Sequence, residues 1–492
     1  MTNIGQQSPQ ISHPHKFFIG GSWRQPSSNA RFRIISPATE EQFFEVAEAQ
    51  EADMLQAVAA AREAFDSGPW PRLSHEERAG YLRALGTEIG RRTAELSHIW
   101  AGEMGALYSL AKMIVPSFQG IFEYYAGLAQ TFPFFEHHKS ASAGAGYIVR
   151  EPVGVVAAIV PWNGPLMLAS WKVAPALLAG CTVILKASPE APGMLYVLAE
   201  AAEAIGLPPG VLNLITAERA VSELLVRHPG VDKVSFTGST AAGRRIGAIC
   251  GDRIARCTLE LGGKSPAIVL DDYDVESFAR SISASSAILS GQVCAALTRV
   301  IVTGNRQAAL VDALNSEFSK IRVGDPFEEQ TSMGPLATVR QRDRVEGYIA
   351  KGLAEGARLV TGGGRPKHLE RGFYIEPTVF SNVNNESTIA REEIFGPVIS
   401  VIPANDEAHA IELANQSAYG LNSAVFTNDT ERALHVARHL RIGTVSQNGL
   451  GPDFTIAFGG FKQSGIGREG GIEGLMSYLE TKTVLLTSQI AP

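Results

Sequence analysis

Cysteine is scarce in this sequence: Cys181, Cys250, Cys257 and Cys294 are the four present. Four thiols in a long chain make no disulfide framework, and no two form a C-x-x-C pair, which argues against a zinc site. Runs of one charge are missing as well. The formal net charge is -7 with acids and bases interleaved, and without a Lys/Arg stripe nucleic acid is not an expected partner. Long apolar runs are also absent. The stretch 153–161 is among the longest, well short of the ~18–20 residues a membrane span needs. The opening MTNIGQQSPQISHPHKFFIGG has no basic segment leading into an apolar one, so it does not read as a secretory signal. Its Gln, Ser, Pro and His content predicts a frayed tail. Internal repeats and low-complexity segments are lacking too. Together these absences leave a cytoplasmic protein with no membrane partner as the expectation.

What is present is a globular composition, 45% apolar and 19% charged over 492 residues. That length predicts two or more lobes, since single cores rarely exceed roughly 250–300 residues. Between 153 and 270, short β-branched runs alternate with Ala/Leu-rich helical stretches. GVVAAIVP, CTVILKAS, VLNLIT and VDKVSF read as strands, and CTLELGG and PAIVL add more. Residues 165–180, 194–205, 220–227 and 240–249 read as helices. Such alternation predicts a parallel, doubly wound α/β sheet, whose ligands bind beyond the carboxyl ends of the strands. Pro161-Trp162-Asn163, Lys186-Ala187-Ser188, Thr237-Gly238-Ser239 and Glu260-Leu261-Gly262-Gly263 all stand there. A second α/β stretch runs from about 265 to 465. The tail LMSYLETKTVLLTS reads as a helix end followed by a strand in want of a partner.

Three motifs carry less than they suggest. Gly465-Ile466-Gly467-Arg468-Glu469-Gly470 matches G-x-G-x-x-G, yet it follows a polar FKQS stretch and leaves too little chain for a βαβ unit. Gly263-Lys264-Ser265 resembles the end of a P-loop, but the earlier glycine is replaced by Thr258. Asp271-Asp272-Tyr273-Asp274 fits a helix cap or solvated loop far better than a metal site.

Cys294 sits in SGQVCAALTR among small neighbours that leave its sulfur approachable. A lone cysteine is more often a small buried hydrophobe than a nucleophile. The ordered set PWNGP, LELGGKSP, SGQVCAALTR, EEIFGPV and FGGFKQSGIGRE changes the weighing. Together these resemble the NAD(P)-dependent aldehyde dehydrogenase superfamily, from FFIGGSW near the start to YLETKTV near the end. The resemblance implies a Rossmann-type cofactor domain (16–131 and 152–260), an α/β catalytic domain (261–461) and a small β oligomerisation arm (132–151 and 475–492). It implies a homo-oligomer, dimer or tetramer, with homotetramer as the first expectation.

Residue by residue, the resemblance makes Cys294 the nucleophile, Glu260 the general base and Asn163 the oxyanion-hole amide. Lys172 and Glu469 match positions that relay protons. Lys186 matches a contact to the adenosine ribose, Ser239 a pyrophosphate contact, and Glu393 and Phe395 neighbours of the nicotinamide ribose. Pro161, Trp162, Ser188, Gly238 and Leu261 complete the expected cofactor lining. The chemistry needs these types: a thiol to attack the aldehyde carbon, donors for the oxyanion, and a carboxylate to activate water against the thioester. Burial of that carboxylate would raise its pKa toward the working range. No metal is expected.

The sequence also departs from the family. The segment 217–222, commonly glycine-bearing, reads AERAVS. An acid often stands three residues after the lysine and favours NAD; here that place is Pro189, and Glu190 follows. NAD is the first expectation for cofactor, with NADP left open. Leu289 or Ser290 stands where asparagine is frequent, and Ala457 where proline is. By position, Gly164, Leu168, Trp171, Val293, Ala295, Leu450, Phe454 and Phe458 line a substrate funnel without Arg or Lys. That suggests a hydrophobic aldehyde: aromatic, terpenoid or medium-chain. Two rivals stay in view. A CoA-acylating enzyme would not need Glu260, and a non-catalytic protein on this fold would not need Cys294.

Overall fold

The strands that read as continuous apolar runs are buried along their whole length, as expected where helices cover both faces of a parallel sheet. In the computed structural model, which describes residues 9–142, 144–451 and 453–489, they build an eight-stranded sheet. Its order is Gly465–Ile466, Arg256–Glu260, Lys233–Thr237, Val155–Ile159, Thr182–Ala187, Leu212–Thr216, Phe17–Ile19 and Ser22–Arg24. The five central strands are parallel, and the outer ones join antiparallel. The helix Pro165–Ala179 is apolar on nearly every side and packs in the centre of the larger core. Pro165 opens it and Gly180, at φ 99°, closes it in the left-handed conformation.

Ser265–Val269, which closes the alternating run 153–270 and opens the second stretch that begins near 265, lies in a second sheet of seven strands. That sheet runs Arg358–Thr361, Thr378–Ser381, Val398–Ala404, Leu297–Thr303, Ser265–Val269, Asn422–Phe426 and Thr444–Gln447. All but the first are parallel. The crossing takes four residues, Leu261 to Lys264, which is too short for a helical crossover within one sheet. The tail strand Leu479–Leu486 finds its partner in Ala145–Pro152, flanked by Phe135–His138, as a three-stranded antiparallel sheet. The expected frayed N-terminal tail falls largely on residues 1–8, and the last residues of the arm on 490–492, outside the described residues. No helix among the described residues is long and apolar enough to cross a membrane.

The G-x-G-x-x-G segment is no dinucleotide loop. Gly465–Ile466 is an edge strand paired with Leu259 and Glu260, and it delivers Glu469 beneath the first sheet. Of the acidic cluster, Asp274 caps the helix Val275–Ala287 and Asp271 pairs with Arg432.

Arg299, 1% exposed on the strand that follows Cys294, ties the second sheet together. Its guanidinium donates to Lys264 O (3.0 Å), Asn385 Oδ1 (3.1 Å), Leu413 O (3.0 Å) and Ala414 O (2.9 Å). Arg299→Met leaves these acceptors with fewer partners in a dry interior. The expected loss is about 3 kcal/mol or more, read as a lower midpoint in chemical unfolding. A wild-type midpoint would refute the bracing role.

Candidate active site

The segment before the strand Leu297–Thr303 adopts three consecutive left-handed residues: Leu289 (φ 49°), Ser290 (φ 54°) and Gly291 (φ 72°). Two of these are not glycine, so the loop is strained and needs external ties. Ser290 Oγ donates to Gly334 O (2.7 Å). Gln292 donates through Nε2 to Leu289 O (2.8 Å) and accepts from Ala337 N at Oε1 (2.9 Å). Asn163 Nδ2 donates to Gln292 O (2.9 Å), and Trp100 Nε1 donates to Asn163 O (3.0 Å). Thus the loop after the strand Val155–Ile159 meets the loop that carries Cys294. Asn422 Nδ2 holds Ala295 O from the far side (3.0 Å).

Cys294 is half-buried. Burial, reinforced by the negative charges of Glu393 and Glu260, pushes its thiol up to about 12, opposed by the backbone N–H groups of Ala295 and Cys294. The thiol therefore rests protonated and needs a base. Glu260 ends the strand Arg256–Glu260, is 3% exposed, and neither carboxylate oxygen has a hydrogen-bond partner. Burial and then the charge of Glu469 hold its pKa well above the ordinary carboxylate range, while Lys172 and Arg468 oppose the shift. Lys172 is fully buried, donates to Thr237 Oγ1 (2.7 Å), and forms a short ion pair with Glu469. Ser235 Oγ donates to the same Glu469 oxygen (3.2 Å), and the Tyr478 hydroxyl donates to Ser235 (3.1 Å).

Glycines let the two sheets touch. A Cβ on Gly263 would stand 2.5 Å from Cys294 O, and one on Gly262 would stand 2.3 Å from Glu393 Oε2. Glu393 accepts from Gly263 N (3.1 Å), and burial raises its pKa to about 7. Phe395, at φ 61°, sets its ring edge-on to Trp162 with centroids 5.4 Å apart. Cys294, Glu393 and Phe395 precede strands, whereas Asn163 and Glu260 follow them. The site thus lies between carboxyl ends of the first sheet and amino ends of the second.

Farther along the first sheet, Ser239 is exposed and caps the helix Thr240–Asp252 by accepting from Ala242 N (3.3 Å). Gly238 donates to Glu260 O (3.0 Å), and a Cβ there would strike the Phe236 ring at 2.5 Å. Leu261 N donates to Ser464 O (2.9 Å). Lys186 ends its strand largely buried. Burial lowers its pKa to about 8, and Glu190 and Glu218 work the other way. Ser188 Oγ bonds to Glu190. Pro161 and Trp162 are half-exposed beside them in the sheet order.

On the other side, Gly164, Leu168 and Trp171 share one face of the helix Pro165–Ala179. Trp171 meets Phe458 at 5.4 Å between centroids. Val293, Leu450 and Phe454 pack against the same core, while Ala295 is buried within it. A Cβ on Gly164 would have Met167 at 3.5 Å, so the position has room. Sequence reasoning missed Gln292, Trp100, Gly120 and Tyr124. Gly120 leaves space for Phe454, whose ring would sit 3.3 Å from a Cβ there. Tyr124 meets Phe454 edge-on and donates to Thr455 O (3.2 Å). Gln292 was discoverable as the polar residue beside Cys294; the others carry no local signal.

Glu260 gives a stability prediction with a definite sign. Its carboxyl ionises near 4.5 in an unfolded chain and well above that when folded. Within that window the unfolded chain releases a proton that the folded chain keeps, so the group's contribution weakens as pH rises. Glu260→Gln does not titrate. The unfolding temperature of the variant minus that of the wild type is expected to grow from about pH 5 to about pH 8. A flat difference would contradict a buried, uncompensated carboxyl.

The aldehyde dehydrogenase family model matches residues 23–484. The geranial dehydrogenase of Castellaniella defragrans is 44% identical over 477 residues, covering 97% of this chain and 99% of that one. A 3-succinoylsemialdehyde-pyridine dehydrogenase from Pseudomonas is 42% identical, covering 96% and 98%. A solved Mycobacterium tuberculosis aldehyde dehydrogenase complexed with NAD+ aligns at TM-score 0.95 and 42% identity, covering 97% and 99%. A mutant aldehyde dehydrogenase from Pseudomonas syringae, solved with NAD+ and octanal, aligns at 0.94 and 39%, covering 99% and 100%. With the resemblance in its motifs now matched over nearly its whole length, the chain belongs to the aldehyde dehydrogenase family.

Proposed function

We propose that this chain oxidises a hydrophobic aldehyde to its carboxylic acid with NAD, through a thioester on Cys294. The observation that carries the reading is the Asn163 amide bonded to Gln292 O, two residues before Cys294, with the unpartnered carboxyl of Glu260 near enough to act on the thiol electrostatically.

The first step is attack of Cys294 Sγ on the aldehyde carbon, with Glu260 taking the thiol proton. Asn163 Nδ2 carries two hydrogens. One goes to Gln292 O, and the other is left to donate to the oxyanion together with the Cys294 N–H. NAD, when bound, supplies the hydride acceptor. Loss of hydride from the adduct leaves the thioester. Glu260 then deprotonates water, which attacks the acyl carbon; the acid departs and the sulfur is released. Lys172 and Glu469, charge-coupled to Glu260, are placed to carry its proton away.

The residues present suit NAD. The N-terminus of the helix Thr240–Asp252 opens beside exposed Ser239, a ready site for a pyrophosphate. Gly238 and Gly262 keep side chains out of the way. Lys186 and Ser188 would hold the adenosine ribose, Glu393 and Phe395 the nicotinamide ribose, and Pro161, Trp162 and Leu261 would line the groove.

The hydrophobic substrate class rests on the apolar lining, Leu168, Trp171, Val293, Leu450, Phe454 and Phe458, and on the space at Gly164. Two relatives support it, one named for geranial and one solved with octanal. The three-stranded arm, with Phe135 and Leu485 exposed, would join subunits of a homo-oligomer. Sedimentation showing a monomer at micromolar concentration would refute that. Four free thiols fit a reducing compartment, the cytoplasm.

Absorbance of reduced cofactor tests the reaction. Cys294→Ala is expected to abolish it. Asn163→Ala should lower kcat about 10²–10³-fold. Glu260→Gln should fall by about 10²–10⁴ while still forming a first equivalent of reduced cofactor, as the acyl-enzyme accumulates, when thiol attack is driven at high pH. A wild type that reduces no cofactor with any aldehyde would overturn the reading. Formation of acyl-CoA with CoA present, and no free acid, would replace it with the acyl-transfer alternative. For substrate class, Gly164→Phe should raise KM for a branched terpenoid aldehyde far more than for propanal. Equal kcat/KM of the wild type on succinic semialdehyde and on an apolar aldehyde of its length would refute the apolar preference.

A further inference from the structure

The helix Thr240–Asp252 turns back through Arg253, Ile254 and Ala255 into the strand Arg256–Glu260. Ile254 makes the turn at φ 56°, and Ala255 N donates back to Cys250 O (2.9 Å). The Arg253 guanidinium donates to Val226 O and Val231 O, so the turn is held from outside as well. Gly243, Gly247 and Cys250 lie four and three residues apart, on one face of the helix. Cys257, Leu259 and Leu261 alternate onto one face of the strand and its continuation. The two faces meet in order. A Cβ on Gly243 would stand 2.4 Å from the Leu261 side chain, and one on Gly247 would stand 3.5 Å from Leu259 Cδ1. The next step of the same register sets Cys250 against Cys257. The glycines bring helix and strand close enough for the two sulfurs to touch. The Cys250 thiol donates to the Cys257 sulfur, and both side chains lie in one apolar cluster.

We propose that Cys250 and Cys257 are a redox-active dithiol that closes to a disulfide on reaction with a hydroperoxide. Their surroundings divide the roles. Cys257 is half-buried near the start of its strand, whereas Cys250 is buried. The hydrogen bond from Cys250 draws the Cys257 thiol below its ordinary range, against burial and with help from the Lys233 charge. The thiolate is the nucleophile. Its sulfur attacks the peroxide O–O bond, the alcohol or water half leaves, and Cys257 becomes a sulfenic acid. The Cys250 sulfur then attacks the Cys257 sulfur. The S–S bond forms, and the hydroxyl departs as water with the Cys250 proton. The two thiols lose two electrons, and the peroxide gains them. Exchange with a small dithiol restores the pair. Cys294 is a poorer target, because its thiol is pushed up to about 12 and rests protonated. The closed disulfide fastens the helix capped by Ser239 to the strand that ends in Glu260.

Peptide mass spectrometry tests this without turnover. The reduced wild type is treated with one equivalent of hydrogen peroxide, alkylated with iodoacetamide and digested with trypsin. Cleavage after Arg245, Arg253, Arg256 and Lys264 puts Cys250 in the peptide 246–253 and Cys257 in the peptide 257–264. The expected product joins these two peptides, is two hydrogens lighter than their sum, and is parted by dithiothreitol. Cys294 is expected to remain alkylatable. Cys250→Ser should stop at the sulfenic acid, trapped by dimedone on Cys257. Cys257→Ser should give neither the cross-link nor a dimedone adduct on Cys250. Thermal melts check that both variants fold. Absence of the joined peptides from the folded wild type, or their appearance only in denaturant, would overturn the proposal. So would dimedone capture on Cys250 as readily as on Cys257, or oxidation of Cys294 ahead of the pair.

Discussion

Gly262 and Gly263 lie where the chain leaves the first sheet and enters the second, and neither has room for a side chain. The carbonyl of Cys294 presses on one and the carboxylate of Glu393 on the other. A methyl group at Gly263 would have to push the Cys294 backbone aside, and one at Gly262 would displace the Glu393 carboxylate. Close packing makes this sensitivity general, because a packed interior transmits a displacement instead of absorbing it. The rest of the site inherits its geometry from this approach. Glu393 is positioned by Gly263 N, Phe395 by its left-handed backbone, and the Cys294 loop by bonds to elements on both sides.

The charges beneath the site form a second dependent layer. Glu260 is buried without a partner, and Glu469 is buried against Lys172. An unpaired buried carboxylate is unfavourable, and a neighbouring one makes it more so; Lys172 offsets part of this. The result is a carboxyl that holds a proton more tightly than an exposed one. That same arrangement weakens the fold and suits a base, an instance of local stability sacrificed where chemistry occurs. The strained run at Leu289 and Ser290 has the same character, and its ties to Gly334 and Ala337 show how the surrounding structure holds it.

Much was legible in advance for particular reasons. The motifs PWN, LELGG and GQVC marked Asn163, Glu260 and Cys294, and the structure brings these three segments together. The alternation of strands and helices between 153 and 260 could be read because burial on both faces leaves continuous apolar runs. Two readings needed the fold. Ser265–Val269 stood in both the first alternating run and the second stretch, and the strand pairing assigns it to the second sheet. Ligand residues were expected after strands, and Cys294, Glu393 and Phe395 come before them, because the second sheet presents its opposite end. Gly120, Tyr124 and Trp100 left no trace, since each acts through a contact made far along the chain.

The sequence by itself determined most local elements, the family and the candidate thiol Cys294, because periodicity, turn residues and short motifs are properties of neighbouring residues. The tertiary structure alone decided which ends of the two sheets face each other and which carboxyl is left unpartnered. Those facts depend on strand order and on contacts between residues more than a hundred positions apart, and no local pattern encodes them.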